Sequence, residues 1–293
     1  MQTAWHRIDD DAERDERITA ARVRLRRRRE HAEQTETPEI AVADGEIWVC
    51  EEPDRGESIT LWVRQDGPHT SLAEISTASA DSAAVWDCIR SLALAQGWKR
   101  VTFSAYRGDD LASALAEHSG ARRIATKMLQ ITDHVLLPQG IRTEPMSELE
   151  YAAYAAHNDR SYAEELLASG SAEEMDVALA EAAAAMGRLL PQGLQTPHQH
   201  LHTVRTVDGE SVGVLWVHVQ ADRAFIYDIE MRDEVRGRGY GTQTLRAAAA
   251  LAREAGRSRI ALNVFGHNDR ARRLYAREGY LETEAIWTVQ VAD

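Results

Sequence analysis

Arg236-Gly237-Arg238-Gly239-Tyr240-Gly241-Thr242, followed downstream by Leu262-Asn263-Val264-Phe265-Gly266-His267-Asn268-Asp269-Arg270-Ala271-Arg272-Arg273-Leu274-Tyr275-Ala276-Arg277-Glu278-Gly279-Tyr280, decides the fold. The first part lies between a strand-like run, Ala224-Phe225-Ile226-Tyr227-Asp228-Ile229-Glu230-Met231, and a segment over about 242–255 with helical periodicity. Its glycines let the backbone bend tightly and turn several N–H groups toward one point at a helix N-terminus, which suits a pyrophosphate. A structural tight turn is the other reading of such a loop taken alone. The Gly-Lys-Ser/Thr of a P-loop is missing, and so is the acidic residue that a dinucleotide fingerprint needs after the next strand.

Working outward, the second half reads as strands over 210–217 and 224–231, a helix over about 242–255, a strand over 259–264, a helix over about 269–277 ending at Gly279, and a last strand over 285–289. The first half has the same order. Strands over 46–50, 58–63 and 71–75 are separated by the turn clusters Pro53-Asp54-Arg55-Gly56 and Gln65-Asp66-Gly67-Pro68. A helix over about 82–96, a strand over 100–104, a helix over about 109–118 stopping at Gly120, and a strand over 124–131 follow. Sliding the chain by 159 positions aligns Leu92, Ala93, Gly97, Arg100, Asp110, Ala112, Leu115 and Gly120 with Leu251, Ala252, Gly256, Arg259, Asp269, Ala271, Leu274 and Gly279. Two copies of one fold are expected, joined near residues 136–140. The second copy adds Ala/Glu-rich helices over about 147–170 and 172–190, a lid or acceptor wall ahead of its core sheet.

With that context, the glycine loop and the segment 262–280 resemble the two signature motifs of the GNAT (Gcn5-related N-acetyltransferase) superfamily, with both spacings met without a gap. The resemblance is direct over about 140–293 and reaches 45–135 through the internal repeat. It implies an α/β (α+β) fold of two tandem GNAT-like domains, each a mixed, mostly antiparallel sheet flanked by helices, with a splayed parallel strand pair. The domains are expected as a charged helical segment 1–36, a degenerate copy 37–135 and a catalytic copy 136–293. It further implies acetyl-CoA as co-substrate and no metal. Arg236, Gly237, Arg238, Gly239, Tyr240, Gly241 and Thr242 would hold the pyrophosphate, and Ile229, Glu230 and Met231 would pair through backbone with the pantetheine amides. Asn268 would bond that arm, and Tyr275 would protonate the departing thiolate; a phenol near pKa 10 stays protonated at pH 7.

An amine attacking a thioester must first lose a proton. Glu230 is the first candidate for the base and Asp228 the second, since alternation puts both on one strand face, with Tyr227 turned the other way beside Ile229 and Met231. Tyr162, Glu165, Tyr227 and Asn263 are the expected acceptor-side residues, and the acids Glu164 and Glu165 would favour a cationic amine. The first copy departs from the pattern. Ala116, Asp109 and Ser104 stand where Tyr275, Asn268 and Asn263 stand, and Thr77-Ala78-Ser79-Ala80-Asp81 lacks both arginine and glycine. Its loop is also five residues shorter, 22 positions from Ile75 to Gly97 against 27 from Ile229 to Gly256. The first copy is therefore expected to have lost the cofactor site.

Composition bounds the rest. The 293 residues carry 34 Lys+Arg against 47 Asp+Glu, a net charge of −13, which disfavours nucleic acid. Arg22, Arg24 and Arg26 to Arg29 form a local basic run behind an acidic one, read as a solvated helix with internal pairing. No apolar run is long enough for a membrane span, so no membrane partner and a cytoplasmic location are expected. Two cysteines make no disulfide framework. His198, His200 and His202 alternate onto one strand face, a cleft wall or surface strand in preference to a metal site because no nearby carboxylate or cysteine completes a ligand set. The reading is an N-acetyltransferase acting on the primary amine of a small molecule in a ternary complex, as a monomer or homodimer. Its alternatives are a protein or peptide N-acetyltransferase and a non-catalytic acyl-CoA-binding module.

Overall fold

A computed structural model describes residues 4–32, 45–52, 57–66, 69–169 and 172–291. The expected turns at 53–56 and 67–68 lie outside the described residues. In chain order the first half contains β1 (Trp5–Arg7), α1 (Asp11–His31), β2 (Glu46–Glu52), β3 (Glu57–Asp66), β4 (His69–Thr77), α2 (Ser82–Ala95), β5 (Arg100–Tyr106), α3 (Asp110–His118) and β6 (Arg122–Ile131). The second half contains β7 (Ile141–Pro145), α4 (Glu148–Ser169), α5 (Met175–Leu189), β8 (Gln199–Thr206), β9 (Ser211–Val219), β10 (Ala224–Met231), α6 (Tyr240–Glu254), β11 (Arg259–Phe265), α7 (Asp269–Arg277) and β12 (Leu281–Gln290). Two compact units result, Met1–Thr126 with Glu282–Asp293, and Lys127–Leu281. The first unit is thus discontinuous and the second continuous, whereas the domains expected from sequence are both continuous, with a boundary at 135/136. In the first unit β12 runs antiparallel to β5, with Trp287 opposite Phe103 and Val289 opposite Val101. In the second, the end of β6 is tied in by Thr132, whose N–H donates to the Ser258 carbonyl at 2.9 Å.

Each unit has a mixed sheet in which antiparallel neighbours dominate and one parallel pair starts and then parts. In the second unit β10 pairs with β11 only from Ala224–Ile226 against Ile260–Leu262. Its other edge, against β9, shifts register between Ile226 and Asp228, so Tyr227 is one extra residue. The first unit repeats this. β4 pairs with β5 from His69 to Leu72, and Ala73 is skipped in the register of β4 against β3. Ala73-Glu74 and Tyr227-Asp228 are thus the same bulge followed by the same kind of residue, a carboxylate.

The charged N-terminal segment is part of the first unit rather than an appendage. β1 pairs antiparallel with β2, and α1 buries Ile18, Ala21 and Leu25 among Ile47, Val49, Trp62 and Tyr106. Its acidic first turns do pair internally, Arg17 with Glu13 and Arg14 with Asp11. The basic turns instead reach the sheet: Arg24 donates from Nε and Nη2 to the two oxygens of Glu74 at 2.9 and 3.0 Å. Arg28 Nη2 donates to the Ile75 carbonyl at 3.1 Å, 3.7 Å from Glu74, and its Nη1 lies 3.6 Å from Asp109. The solvated-helix reading fails because Glu74 has a side chain 0% exposed and needs a cation.

Removing one partner of a buried ion pair leaves the other uncompensated, at about 3–5 kcal/mol. Arg24→Leu should therefore lower stability by about 3 kcal/mol, Arg28 supplying partial cover, and Glu74→Gln in the same chain should restore most of it. Urea unfolding of the single and double variants checks this; equal loss in both would mean that packing, not charge, sets the effect.

Candidate functional site

The site of the second unit is built where β10 and β11 part. Between β10 and α6 the chain makes a 3-10 turn over Asp233–Val235, and the Arg236 guanidinium braces it, donating to the Met231 carbonyl at 3.2 Å and pairing with Asp233 at 2.5 Å. Gly237 and Gly239 follow at φ 82° and 86°, a region that favours glycine. Gly239 is the N-cap of α6 and supplies no side-chain cap, so the first N–H groups of the helix have no intrahelical acceptor and point outward as an anion cradle. The loop from Arg236 to Gly239 is exposed. Apolar residues Leu245, Ala248 and Ala252 are buried on the inner face of α6 and fix its direction. Close packing beneath the strand requires Gly213 on β9: a Cβ there would collide with the Glu230 carbonyl and the Met231 side chain.

The bulge changes which residues share a face. The alternation expected from sequence turns Tyr227 toward Ile229 and Met231, yet Tyr227 packs on Trp216 at 4.8 Å between ring centroids, among Tyr154, Met186 and Leu201. Ile229 and Met231 pack in the other cluster, with Leu245 and Tyr275. One extra residue puts Tyr227 and Asp228 on the same side, and Glu230 follows Asp228 as expected.

Helix α4 covers that side. Tyr154, 5% exposed, donates its hydroxyl to Asp228 Oδ2 at 3.0 Å. His157 Nε2 lies 3.0 and 3.2 Å from the two Glu230 oxygens, and Ser161 Oγ is 3.3 Å from the same nitrogen. One and two turns further, Tyr162 sits 6.5 Å from Phe265, and Glu165 Oε2 lies 3.0 Å from His267 Nε2. Of the expected acceptor-side residues, Tyr227 therefore lies by Tyr154 under α4, Tyr162 and Glu165 meet Phe265 and His267 further along the helix, and Asn263 is an exposed residue on β11. Tyr154 and His157 were not among the expected residues. Their signal is the three- and four-residue spacing of 154, 157, 158, 161, 162 and 165, one face of an Ala-rich helix.

Burial pushes the Asp228 carboxyl up to about 6, with the nearby Glu230 charge acting the same way and the Tyr154 hydroxyl pulling against them. Burial also pushes the Tyr275 phenol up to about 12, and the Asp228 charge adds to this, which places the two groups within electrostatic reach. Tyr275 is a buried residue of α7, 5.9 Å from the Tyr280 ring. Asn268 has a structural duty: it N-caps α7, its side-chain oxygen accepting from Ala271 N–H at 3.0 Å. Asp109 does the same for α3 at 3.1 Å, so the two copies share the cap that their different residues seemed to divide.

The histidine row is neither a cleft wall nor a surface strand at His202, which is 8% exposed. Among the described residues no group of three or more His, Cys, Asp or Glu is placed to hold a metal. Burial, then the neighbouring His200, lowers the His202 imidazole to about 4.

The Acetyltransferase (GNAT) family model matches residues 151–280. Two proteins of Bacillus subtilis (strain 168) are similar in sequence, both described as uncharacterized N-acetyltransferases. YycN is 36% identical over 150 residues, 50% of this chain and 96% of YycN. YdgE is 30% identical over 144 residues, 48% of this chain and 91% of YdgE. The crystal structure of a GCN5-related N-acetyltransferase from Sphaerobacter thermophilus shares the fold at a TM-score of 0.55 and 14% identity, over 94% of this chain and 92% of that one.

The lowered imidazole of His202 gives a pH test. Its folded value lies below the ordinary 6.5, so the stability it contributes is complete above that value and is lost as pH falls from about 6.5 toward 4. Thermal melting across this range should show a steep fall in Tm that flattens in His202→Gln; an unchanged slope would locate the acid sensitivity elsewhere.

Proposed function

The chain belongs to the GNAT acetyltransferase family, and from that premise we propose that its second unit transfers an acetyl group from acetyl-CoA to the primary amine of a small, cationic molecule, by direct attack in a ternary complex. The observation that carries this reading is the contrast between the two helices that follow the bulged strands. α6 begins at Gly239 with no side chain on its first N–H groups, whereas α2 begins at Asp81, whose carboxylate accepts from Ala84 N–H at 3.1 Å. A carboxylate already seated at a helix N-terminus repels a phosphate and takes its donors. The fit of acetyl-CoA is thus argued for the second unit alone. There the N–H groups of Tyr240, Gly241 and Thr242 would face the pyrophosphate, and the edge of β10 that β11 leaves uncovered from Ile229 to Met231 would offer its backbone to the pantetheine arm.

The chemistry of the side chains follows from where they stand. A cationic acceptor enters on the α4 side, where Asp228 and Glu230 stand and Glu165 adds negative charge further along the helix. Asp228 and Glu230 are the two carboxylates available to take the proton from its ammonium; an acid with a pKa near 6 is a competent base at neutral pH. The amine so freed forms the new C–N bond as the C–S bond breaks; Tyr275, held protonated by burial, gives its proton to the departing sulfur, and the further proton that the nitrogen sheds in becoming an amide restores the phenol. The crossing of α4 over β10 and the end of β11 supports a small acceptor over a polypeptide threaded through an open groove.

Calorimetry on the full chain should show one CoA per chain. Gly239→Asp, which copies the Asp81 cap into α6, should weaken that binding at least tenfold (roughly), because it places a like charge where the phosphate docks and strains a left-handed backbone. Tyr275→Phe should keep CoA affinity and slow free-thiol release with an amine panel by about 100-fold. Two CoA per chain, or none, would sink the assignment; CoA uptake without turnover on any amine would favour a binding module.

A further inference from the structure

We infer that Tyr154 is the positioning residue of this site: its hydroxyl holds the Asp228 carboxylate beneath the bulge, in the orientation and charge state in which it takes the acceptor's proton. This rests on the reading of Asp228 as a base in the proposed transfer. Two independent observations carry it.

The first is the geometry. Tyr154 is buried in an apolar cluster with Met146, Met186, Leu190, Leu201 and Trp216, so its ring has little freedom, and its hydroxyl donates to Asp228 Oδ2 at 3.0 Å. The groups that act on Asp228 are Tyr154 and His157 from α4, Glu230 and the Ile229 N–H from β10 itself, and Tyr275 from α7. Among these only Tyr154 is seen to hydrogen-bond the side chain from another element.

The second is the same bulge in the first unit. There the carboxylate after the extra residue is Glu74, and α1 reaches it as α4 reaches Asp228, but with guanidinium groups: Arg24 at 2.9 and 3.0 Å, Arg28 at 3.7 Å. A bidentate guanidinium pair fixes a carboxylate in its charged form and occupies both oxygens, so it cannot serve as a base. The donors at Asp228, the Tyr154 phenol and the Ile229 N–H, are neutral and stabilise the anion only partly, so it can still take up a proton. The helix donor facing the bulge therefore divides a proton-transferring carboxylate from a structural one, and Tyr154 is on the active side of that division.

Tyr154→Phe keeps the ring in its cluster and removes only the hydroxyl. A hydrogen bond to a charged group is worth about one pKa unit or somewhat more. In protein carrying 13C in the aspartate carboxyls, the resonance that disappears in Asp228→Asn should titrate near pH 6 and move upward by about one unit in Tyr154→Phe. The acid limb of kcat/KM, measured with acetyl-CoA and the best amine of the panel, should move by the same amount while CoA affinity stays within about twofold. An Asp228 resonance that titrates at the same pH in both proteins would overturn the role of Tyr154 and leave the base reading standing. An acid limb that persists unchanged in Asp228→Asn, with Glu230→Gln abolishing it, would overturn both.

Discussion

One extra residue in a strand, Tyr227, is the constraint on which the rest of the second unit depends. Parallel hydrogen bonding between β10 and β11 runs from Ala224 to Ile226 and stops there, so from Asp228 onward one edge of β10 has no strand on it. A sheet edge inside a protein must be satisfied by something else. In the proposed transfer that something would be the pantetheine arm, and the glycine loop at the end of the same strand would receive the charged end of the same molecule. The bulge also sets the chemistry, because it turns Tyr227 and Asp228 to one side and leaves Ile229 and Met231 to the other.

The first unit shows how the same frame looks with different charges set into it. It keeps the bulge, the parting strands and even a carboxylate after the extra residue. The opening is instead lined by Arg28, Glu74, Ser104, Tyr106 and Asp109, and the helix beyond it is capped by its own aspartate. The changes are electrostatic and local. Cations from α1 neutralise the carboxylate from one side, and Asp81 takes the helix terminus from the other.

Much of this was legible in the sequence because it depends on periodicity and on glycine. The helices at 82–95 and 269–277, the strands at 224–231 and 259–265 and the loop at 236–242 follow from alternation, apolar spacing and the φ > 0 turns at Gly237 and Gly239, whereas the exchange of the last strand into the first unit does not. What was not legible is what a single inserted residue does to alternation. Period-two reasoning sends Tyr227 to the wrong face, and nothing in Ile226-Tyr227-Asp228 marks the bulge locally. Tyr154 and His157 were missed for a related reason: a polar stripe on an Ala-rich helix looks like a solvent face until β10 is laid beneath it. The basic run of α1 misled in the same way, since the buried Glu74 that attracts it is fifty residues away from Arg24.

The division of strands has a consequence for the chain as it is made. The first unit draws its last strand from Glu282–Gln290, so β5, with Val101 and Phe103 in its core, receives the neighbour that covers it only after the 155 residues from Lys127 to Leu281 have been synthesised. At about 5–20 residues per second the ribosome needs roughly 8–30 s for that stretch. The leading half must wait unfinished, with an apolar strand edge open, while the trailing half emerges.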